Sequence, residues 1–211
     1  MATFQSKVNA AYSTLEAAQK EFWGRLALGC SFGKDSMVVL HMALRLMPRI
    51  DVFTALSDTE FGETYTFMDK IVRQWDLSFS RSFFKQTGGL VECCGPPKVE
   101  ATKIALIPYE AWISGIRRSE GVTRACAQTV ERDLGVVKIN PLLDFTEQDV
   151  WRYTAIHGIP VHPMYTRGYR SLGCRKCSIP ELDEGEPERA GRWAGTSKQG
   201  GECGIHNEPL R

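Results

Sequence analysis

Arg25-Leu26-Ala27-Leu28-Gly29-Cys30-Ser31-Phe32-Gly33-Lys34-Asp35-Ser36 is the stretch that decides the fold. Its first half is a short apolar run ending in small residues, the pattern of a buried strand. Its second half leads into a helical apolar pattern from Ser36 to Met47, which stops before Pro48. Working outward, Ile50 to Leu56 reads as a second strand, Glu63 to Trp75 as a helix and Leu77 to Phe83 as a third strand. Ala111 to Ile116 and Val136 to Ile139 supply two more strands, and residues 3–23 form a leading helix with Val8, Ala11, Tyr12 and Leu15 at helical spacing. Thr146-Glu147-Gln148-Asp149 resembles a capping box and opens a helix running through Ile156. Strands alternating with helices predict an α/β fold, a parallel sheet with helices on both faces. Three stretches of one domain are expected: the leading helix at 1–23, an α/β core at 24–160 and a loop-rich C-terminal region at 161–211. The last is rich in Gly, Pro, Arg and Glu and is expected to drape over the ligand edge of the sheet.

Composition narrows the function classes. Apolar residues make up 43% and charged residues 24% of the 211 positions, ordinary for a water-soluble globular chain. A net charge of +1 gives no global field toward nucleic acid or an anionic membrane, so neither partner is expected. No apolar run approaches the about 20 residues of a membrane-spanning helix. Met1 to Glu21 lacks the apolar core and small-residue cleavage site of a secretory leader. Seven cysteines, an odd number, then fit a reducing cytoplasmic setting with metal-bound or reactive thiols better than a disulfide framework.

Ser31-Phe32-Gly33-Lys34-Asp35-Ser36 falls between a strand and its helix, where open α/β sheets bind anions. Ser31 and Ser36 offer hydroxyl and amide donors, Gly33 permits close backbone approach and Lys34 adds a point charge. The Walker A spacing is absent. An ordinary βα turn requiring a glycine is the plainer alternative. Asp58-Thr59-Glu60 follows the second strand at the same edge; a helix N-cap at Asp58 or Thr59 is compatible with a ligand role there.

Cys174-x-x-Cys177 has a common chelating spacing. Cys93 and Cys94 are adjacent, which strains a single tetrahedral ion but suits a cluster with several irons. Four cysteines are the expected ligation of a [4Fe–4S] centre; a four-cysteine zinc site and a redox dithiol at 174–177 stay open. Cys30 and Cys126 read as inert. Cys203 sits on a Gly-rich tail near the chain end, poorly placed to fill a core and well placed to swing into a site as a nucleophile.

These features occur in order with Cys93-Cys94-Gly95-x-x-Lys98, Gly115-Ile116-Arg117-Arg118 and Asn140-Pro141-Leu142-Leu143-Asp144-Phe145-Thr146-Glu147-x-Asp149-Val150-Trp151. Gly168-Tyr169-x-Ser171-Leu172-Gly173-Cys174-x-x-Cys177, Arg189-x-Gly191-Arg192-Trp193 and Glu202-Cys203-Gly204-Ile205-His206 follow. The set, from about Leu26 to His206, resembles the assimilatory adenylyl-sulfate reductases, iron–sulfur members of the PAPS/APS reductase family. The 31–36 segment resembles that superfamily's PP-loop, Ser-Gly-Gly-x-Asp-Ser, with Phe32 at the first glycine; Asp58-Thr59-Glu60 is similar to its Asp-Thr-Gly.

The resemblance implies an adenine-nucleotide α-hydrolase-like fold and reduction of adenosine 5′-phosphosulfate (APS) to sulfite and AMP. Cys203 would attack the sulfur, and thioredoxin or a glutaredoxin-like dithiol would resolve the S-sulfocysteine. It also implies a [4Fe–4S] cluster on Cys93, Cys94, Cys174 and Cys177, and a homo-oligomer is expected. A thiolate attacking an anionic sulfate ester needs cations, for which Lys98, Arg117, Arg118, Arg189 and Arg192 are the candidates. The same field favours the thiolate. His206 is expected either to tune the thiol or to stand by passively. Pro97 replaces an Arg that the family often carries before the lysine. Lys34 is closer to the ATP pyrophosphatases, which leaves the 3′-phosphorylated substrate PAPS as an alternative, with Lys34 or Arg81 near its extra phosphate. An ATP-dependent iron–sulfur enzyme that thiolates tRNA is the competing class; it needs a basic RNA-binding face.

Overall fold

The computed structural model describes residues 2–85, 95–132, 135–180, 186–206 and 210. Among these described residues, six strands are β1 (Leu26–Gly29), β2 (Asp51–Ser57), β3 (Ser78–Phe84), β4 (Ala111–Ile113), β5 (Val130–Glu131) and β6 (Val137–Ile139). The α-helices of the described residues are α1 (Phe4–Glu21), α2 (Lys34–Leu46), α3 (Gly62–Gln74), α4 (Pro96–Leu106) and α5 (Glu147–His157). The sheet order is β3-β2-β1-β4-β6-β5. All pairings are parallel except β5 with β6.

Alternation along the central strands builds two cores. Leu26 and Leu28 of β1, with Val52 and Leu56 of β2, face the α1, α2 and α5 side. Ala27 and Phe53 face the other way, onto Val99 and Leu106 of α4 and onto Trp112 of β4. Successive side chains of a strand point to opposite faces, so a strand with both faces covered reads as a continuous apolar run. The expected parallel sheet with helices on both faces is what the chain forms.

Local chemistry sets the helix ends. Thr3 Oγ1 accepts from Ser6 N at 3.1 Å and starts α1. The Thr146–Asp149 capping box forms in both directions, at 3.2 and 2.9 Å, and α5 ends at left-handed Gly158. Lys7 Nζ then ties α1 to Asp149 of α5 at 2.5 Å.

Two differences from the sequence reading have physical causes. Helix α4 is additional: no helix is expected from the sequence there, and it opens on Pro96 and Pro97, proline being well tolerated in a first turn, where no intrahelical N–H is needed. Strand β4 ends at Ile113 and does not run on to Ile116. Gly115 explains this, because a Cβ there would lie 3.1 Å from Ser36 N and from the Asp35 carbonyl carbon. The chain leaves the sheet to press backbone to backbone on the start of α2.

Neighbouring β1 and β4 have their following connections on opposite sides, which opens a crevice at the carboxyl ends of the strands. Beyond residue 160 the described chain has 3₁₀ turns at Pro163–Arg167, Arg175–Cys177 and Gly204–His206 and an isolated antiparallel bridge between Ser178 and Arg192. This region crosses the crevice: Arg175 N donates to Thr59 O at 2.9 Å, and Lys34 N to Tyr165 Oη at 2.8 Å. Among the described residues, no helix is long and apolar enough to cross a membrane.

Candidate active site

The loop after β1 is built from the core outward. Phe32 has φ +58, the left-handed region that a bulky residue seldom adopts. Its side chain is fully buried and meets Phe79 edge to face at 5.8 Å. The Phe32 side chain is therefore a core group that does not line the cleft, unlike its neighbours Ser31 and Gly33. Its conformation also accounts for a glycine at this place in the resembling motif. Past it, Gly33 caps α2, Ser36 Oγ donates to Gly33 O at 3.0 Å and Ser31 Oγ lies 3.2 Å from Ser36 Oγ.

Lys34, Arg117, Arg124 and Arg189 lie in a shared ion network. Lys34 is buried, with Nζ 2.7 Å from Glu188 Oε1 and donating to Arg170 O at 2.6 Å. Burial alone would lower its pKa, but Asp35, Tyr165 and Glu188 more than offset this and hold it raised. Arg117, with no exposed surface, donates Nε to Asp35 Oδ1 at 2.6 Å and Nη2 to Glu188. Its backbone N–H donates to Glu120 Oε2 at 2.8 Å, and Glu120 in turn pairs with Arg124. Arg124 is buried and clasps Glu202, Nε to Oε2 at 2.5 Å and Nη2 to Oε1 at 3.0 Å. Arg189 Nη2 reaches Glu202 Oε1 at 3.2 Å. Burial, with Arg124 beside it, pushes Arg189 down to about 10, still a cation near neutrality.

Arg192 is held differently. It lies against Gly173, where a Cβ would sit 2.4 Å from Nη2, and it donates Nη1 to Leu172 O at 2.7 Å. Among the described residues it makes no ion pair, and its buried Nε has no hydrogen-bond partner. Its guanidinium carbon stands 4.5 Å from the Trp193 ring centroid, a cation–π distance.

The expected site residues separate into three groups. Lys34, Asp35, Ser31, Gly33, Ser36, Lys98, Arg189, Arg192, Cys174, Cys203 and His206 line one cleft of about 200 Å³, joined by Glu120, Arg124 and Glu202. Arg117 and Cys177 are buried behind this wall. Arg118 turns outward to an exposed pair with Asp144, which corrects its placement in the site. Asp58 and Thr59 also do not line the cleft; Ser57 and Glu60 of the same turn do, and Thr59 serves the Arg175 backbone. Cys93 and Cys94 lie outside the described residues. The sequence reading passes over Arg124, Glu120 and Glu188. The first two meet through consecutive 3₁₀ turns that carry no motif, and the signal for Glu188 lies only in its place beside Arg189.

The tail also differs from expectation. Cys203 is only 7% exposed and packs with Cys174, Cys177, Trp193, Phe84 and Ala101. It fills a small core because Glu202 is anchored on Arg124 and because a thiol behaves as a small apolar group. His206 stacks on Trp112 at 6.1 Å and 13°. Burial, then Lys138 and Arg124, push its pKa well below the ordinary value, so it is a neutral ring and not an anion-binding cation. Cys174 and Cys177 bracket the 3₁₀ turn, with Cys177 N donating to Cys174 O at 3.0 Å.

Comparison with known proteins fits this geometry. The model of the phosphoadenosine phosphosulfate reductase domain matches residues 25–180. An adenosine 5′-phosphosulfate reductase of Bacillus cereus is 33% identical, covering 96% of this chain and 92% of that protein. The protein of the same name from Bacillus mycoides matches at the same identity and coverage. Among solved structures, the phosphoadenylyl-sulfate (PAPS) reductase of Candida auris, a phosphate complex, is similar with a TM-score of 0.67 and 19% identity, over 81% of this chain and 90% of that one. Candida glabrata FMN adenylyltransferase with FAD and inorganic pyrophosphate has a TM-score of 0.71 at 16% identity, over 99% and 78% of the two chains. The structural likenesses show a shared fold. The sequence matches go further: the chain belongs to the phosphoadenosine phosphosulfate reductase family and is an oxidoreductase of that family.

Proposed function

We propose that the protein reduces adenosine 5′-phosphosulfate to sulfite and AMP. The observation that carries this reading is Cys203, seated with Cys174 in a cation-walled cleft at the switch point of the sheet. The Cys203 thiolate attacks the sulfate sulfur. An S–S bond forms, the S–O bond to phosphate breaks and AMP leaves with the electron pair. A thioredoxin-type dithiol then attacks Cys203 Sγ and releases sulfite, and its second thiol resolves the mixed disulfide. The dithiol is oxidised and the sulfur reduced by two electrons. Arg192 and Arg189 face the developing charge, and Arg suits sulfate and phosphate oxygens.

The substrate lacking a 3′-phosphate is favoured for a local reason. Lys34 is already engaged by Glu188 and the Arg170 carbonyl. Arg81 stands on the exposed edge strand β3, 3.5 Å from Asp69 and away from the cleft. Neither is available to an extra phosphate.

The donor set fits an iron–sulfur cluster. Cys174 and Cys177 are buried thiols close together at the two ends of one short turn, and thiolates in such places are iron or zinc ligands. With Cys93 and Cys94 they would hold a [4Fe–4S] cluster, whose charge would bear on the cleft electrostatically. The reductant protein, a soluble cytoplasmic setting and a homo-oligomer belong to the same proposal.

Incubation of the purified protein with APS and no reductant is expected to add one SO₃ group to the tail peptide. Cys203→Ser is expected to abolish the adduct and to cut sulfite release roughly 10³-fold or more, while leaving the iron–sulfur absorbance in place. Loss of that absorbance would make Cys203 a ligand and end the nucleophile assignment. ATP consumption with APS ignored would favour tRNA thiolation, and faster sulfite release from PAPS would change the substrate.

A further inference from the structure

Glu202 has more partners than a structural carboxylate needs. Oε2 accepts from Arg124 Nε at 2.5 Å and lies 3.4 Å from Thr123 Oγ1. Oε1 accepts from Arg124 Nη2 at 3.0 Å, from Arg189 Nη2 at 3.2 Å and from the Cys203 backbone N–H at 2.8 Å. One carboxylate thus joins the cleft wall to the backbone of the reactive residue. Behind it the relay continues without a gap: Arg124 to Glu120, Glu120 to the Arg117 backbone, and Arg117 to Asp35 at the start of α2. The tail has no regular secondary structure here beyond the 3₁₀ turn Gly204–His206.

Two further facts give this contact a task. The cleft holds about 200 Å³ while Glu202, Cys203, Ile205 and His206 form part of its wall, and small-molecule sites usually enclose roughly 300–1,000 Å³. Cys203 is also nearly inaccessible from outside, yet a second protein must reach its sulfur if the proposed reaction is right. The tail therefore opens and closes in each cycle, and something must define the closed state.

We propose that Glu202 is the positioning residue of the tail: its carboxylate, clasped by Arg124 and Arg189, latches the backbone of Cys203 against the cleft, and release of that clasp exposes the thiol. The inference rests on the proposed reaction for its purpose but not for its test. Glu202 touches the cleft's own arginines, so it occupies positive charge that an incoming anion would otherwise take.

The test uses the full-length protein with its native metal content and iodoacetamide as the probe. The rate of Cys203 labelling is read by mass spectrometry of the tail peptide, with exposed Cys126 as the internal reference. Glu202→Gln is expected to raise the Cys203 rate relative to Cys126 by about tenfold or more, because labelling follows the open population. Glu202→Asp, which keeps the charge, is expected to restore most of the protection. A Cys203 rate within about twofold of wild type in Glu202→Gln overturns the latch. Equal acceleration at Cys126 also overturns it, since that reports general loosening. Labelling requires no substrate, so the two readings fail separately. A wild-type protein that forms no adduct with APS, beside an opened Glu202→Gln variant, removes the substrate and leaves the latch.

Discussion

The loop after β1 and the C-terminal tail face the same cleft and are held there by different physics. The loop is built from inside: Phe32 is sunk in the core, Gly33 caps a helix and its hydroxyls bond within a few residues of one another. The tail is built from outside, by ion pairs and ring contacts to residues far away in sequence, such as Glu202 to Arg124 and His206 to Trp112. The difference teaches a division of labour. A segment rooted in a core keeps one shape, whereas a segment held by a few polar clasps can leave and return without unfolding anything.

The strongest challenge to that contrast is Arg117, which joins the two halves. Arg117→Met leaves Asp35 and Glu188 facing a hole where a cation stood. Removing one partner of a buried pair costs about 3–5 kcal/mol, so denaturant unfolding is expected to show a loss of that size. A loss below about 1 kcal/mol would mean that the loop does not depend on the network at all.

A pH series sharpens the tail's side of the comparison. His206 has a pKa well below the ordinary histidine value when folded, so its contribution to stability is complete above about 6.5 and falls as pH drops below it. His41 and His162 are each pushed down to about 4 by burial, and they lose stability in the same direction. His206→Phe keeps a ring for stacking on Trp112 and removes one titration. Between about pH 6.5 and 5 its stability is expected to fall less steeply than that of wild type, by at most about 1.4 kcal/mol per pH unit. Parallel curves would show that His206 does not sense the docked state. The smallest effect is expected at Arg118, whose pair with Asp144 is exposed: Arg118→Ala is expected to change stability by about 0.5 kcal/mol or less and sulfite release hardly at all.

How much is legible in the sequence follows from the same contrast. The run from β1 to β3 is readable to within about two residues at most boundaries, because apolar periodicity and terminators such as Pro48 report local physics. Helix α4 escapes that reading because two prolines look alike whether they break a helix or begin one. Among site residues, Lys34, Arg189, Arg192 and Cys203 come into view through their motifs. That Phe32 points inward does not, since a backbone angle leaves no mark on composition. Arg124 and Glu120 are invisible for another reason: their importance lies in meeting Glu202, 78 residues away from Arg124 along the chain.

Gly173 carries one more consequence. Because Arg192 rests in the space where a side chain would be, its place is fixed by shape, with no counter-charge on it among the described residues. Ionic strength weakens exposed pairs such as Arg118–Asp144 by screening them. It has little to act on at Arg192, whose neighbours are a glycine, a carbonyl and the face of an indole. The positive end of this cleft is thus set mechanically, and it stays in position in concentrated salt as in dilute buffer.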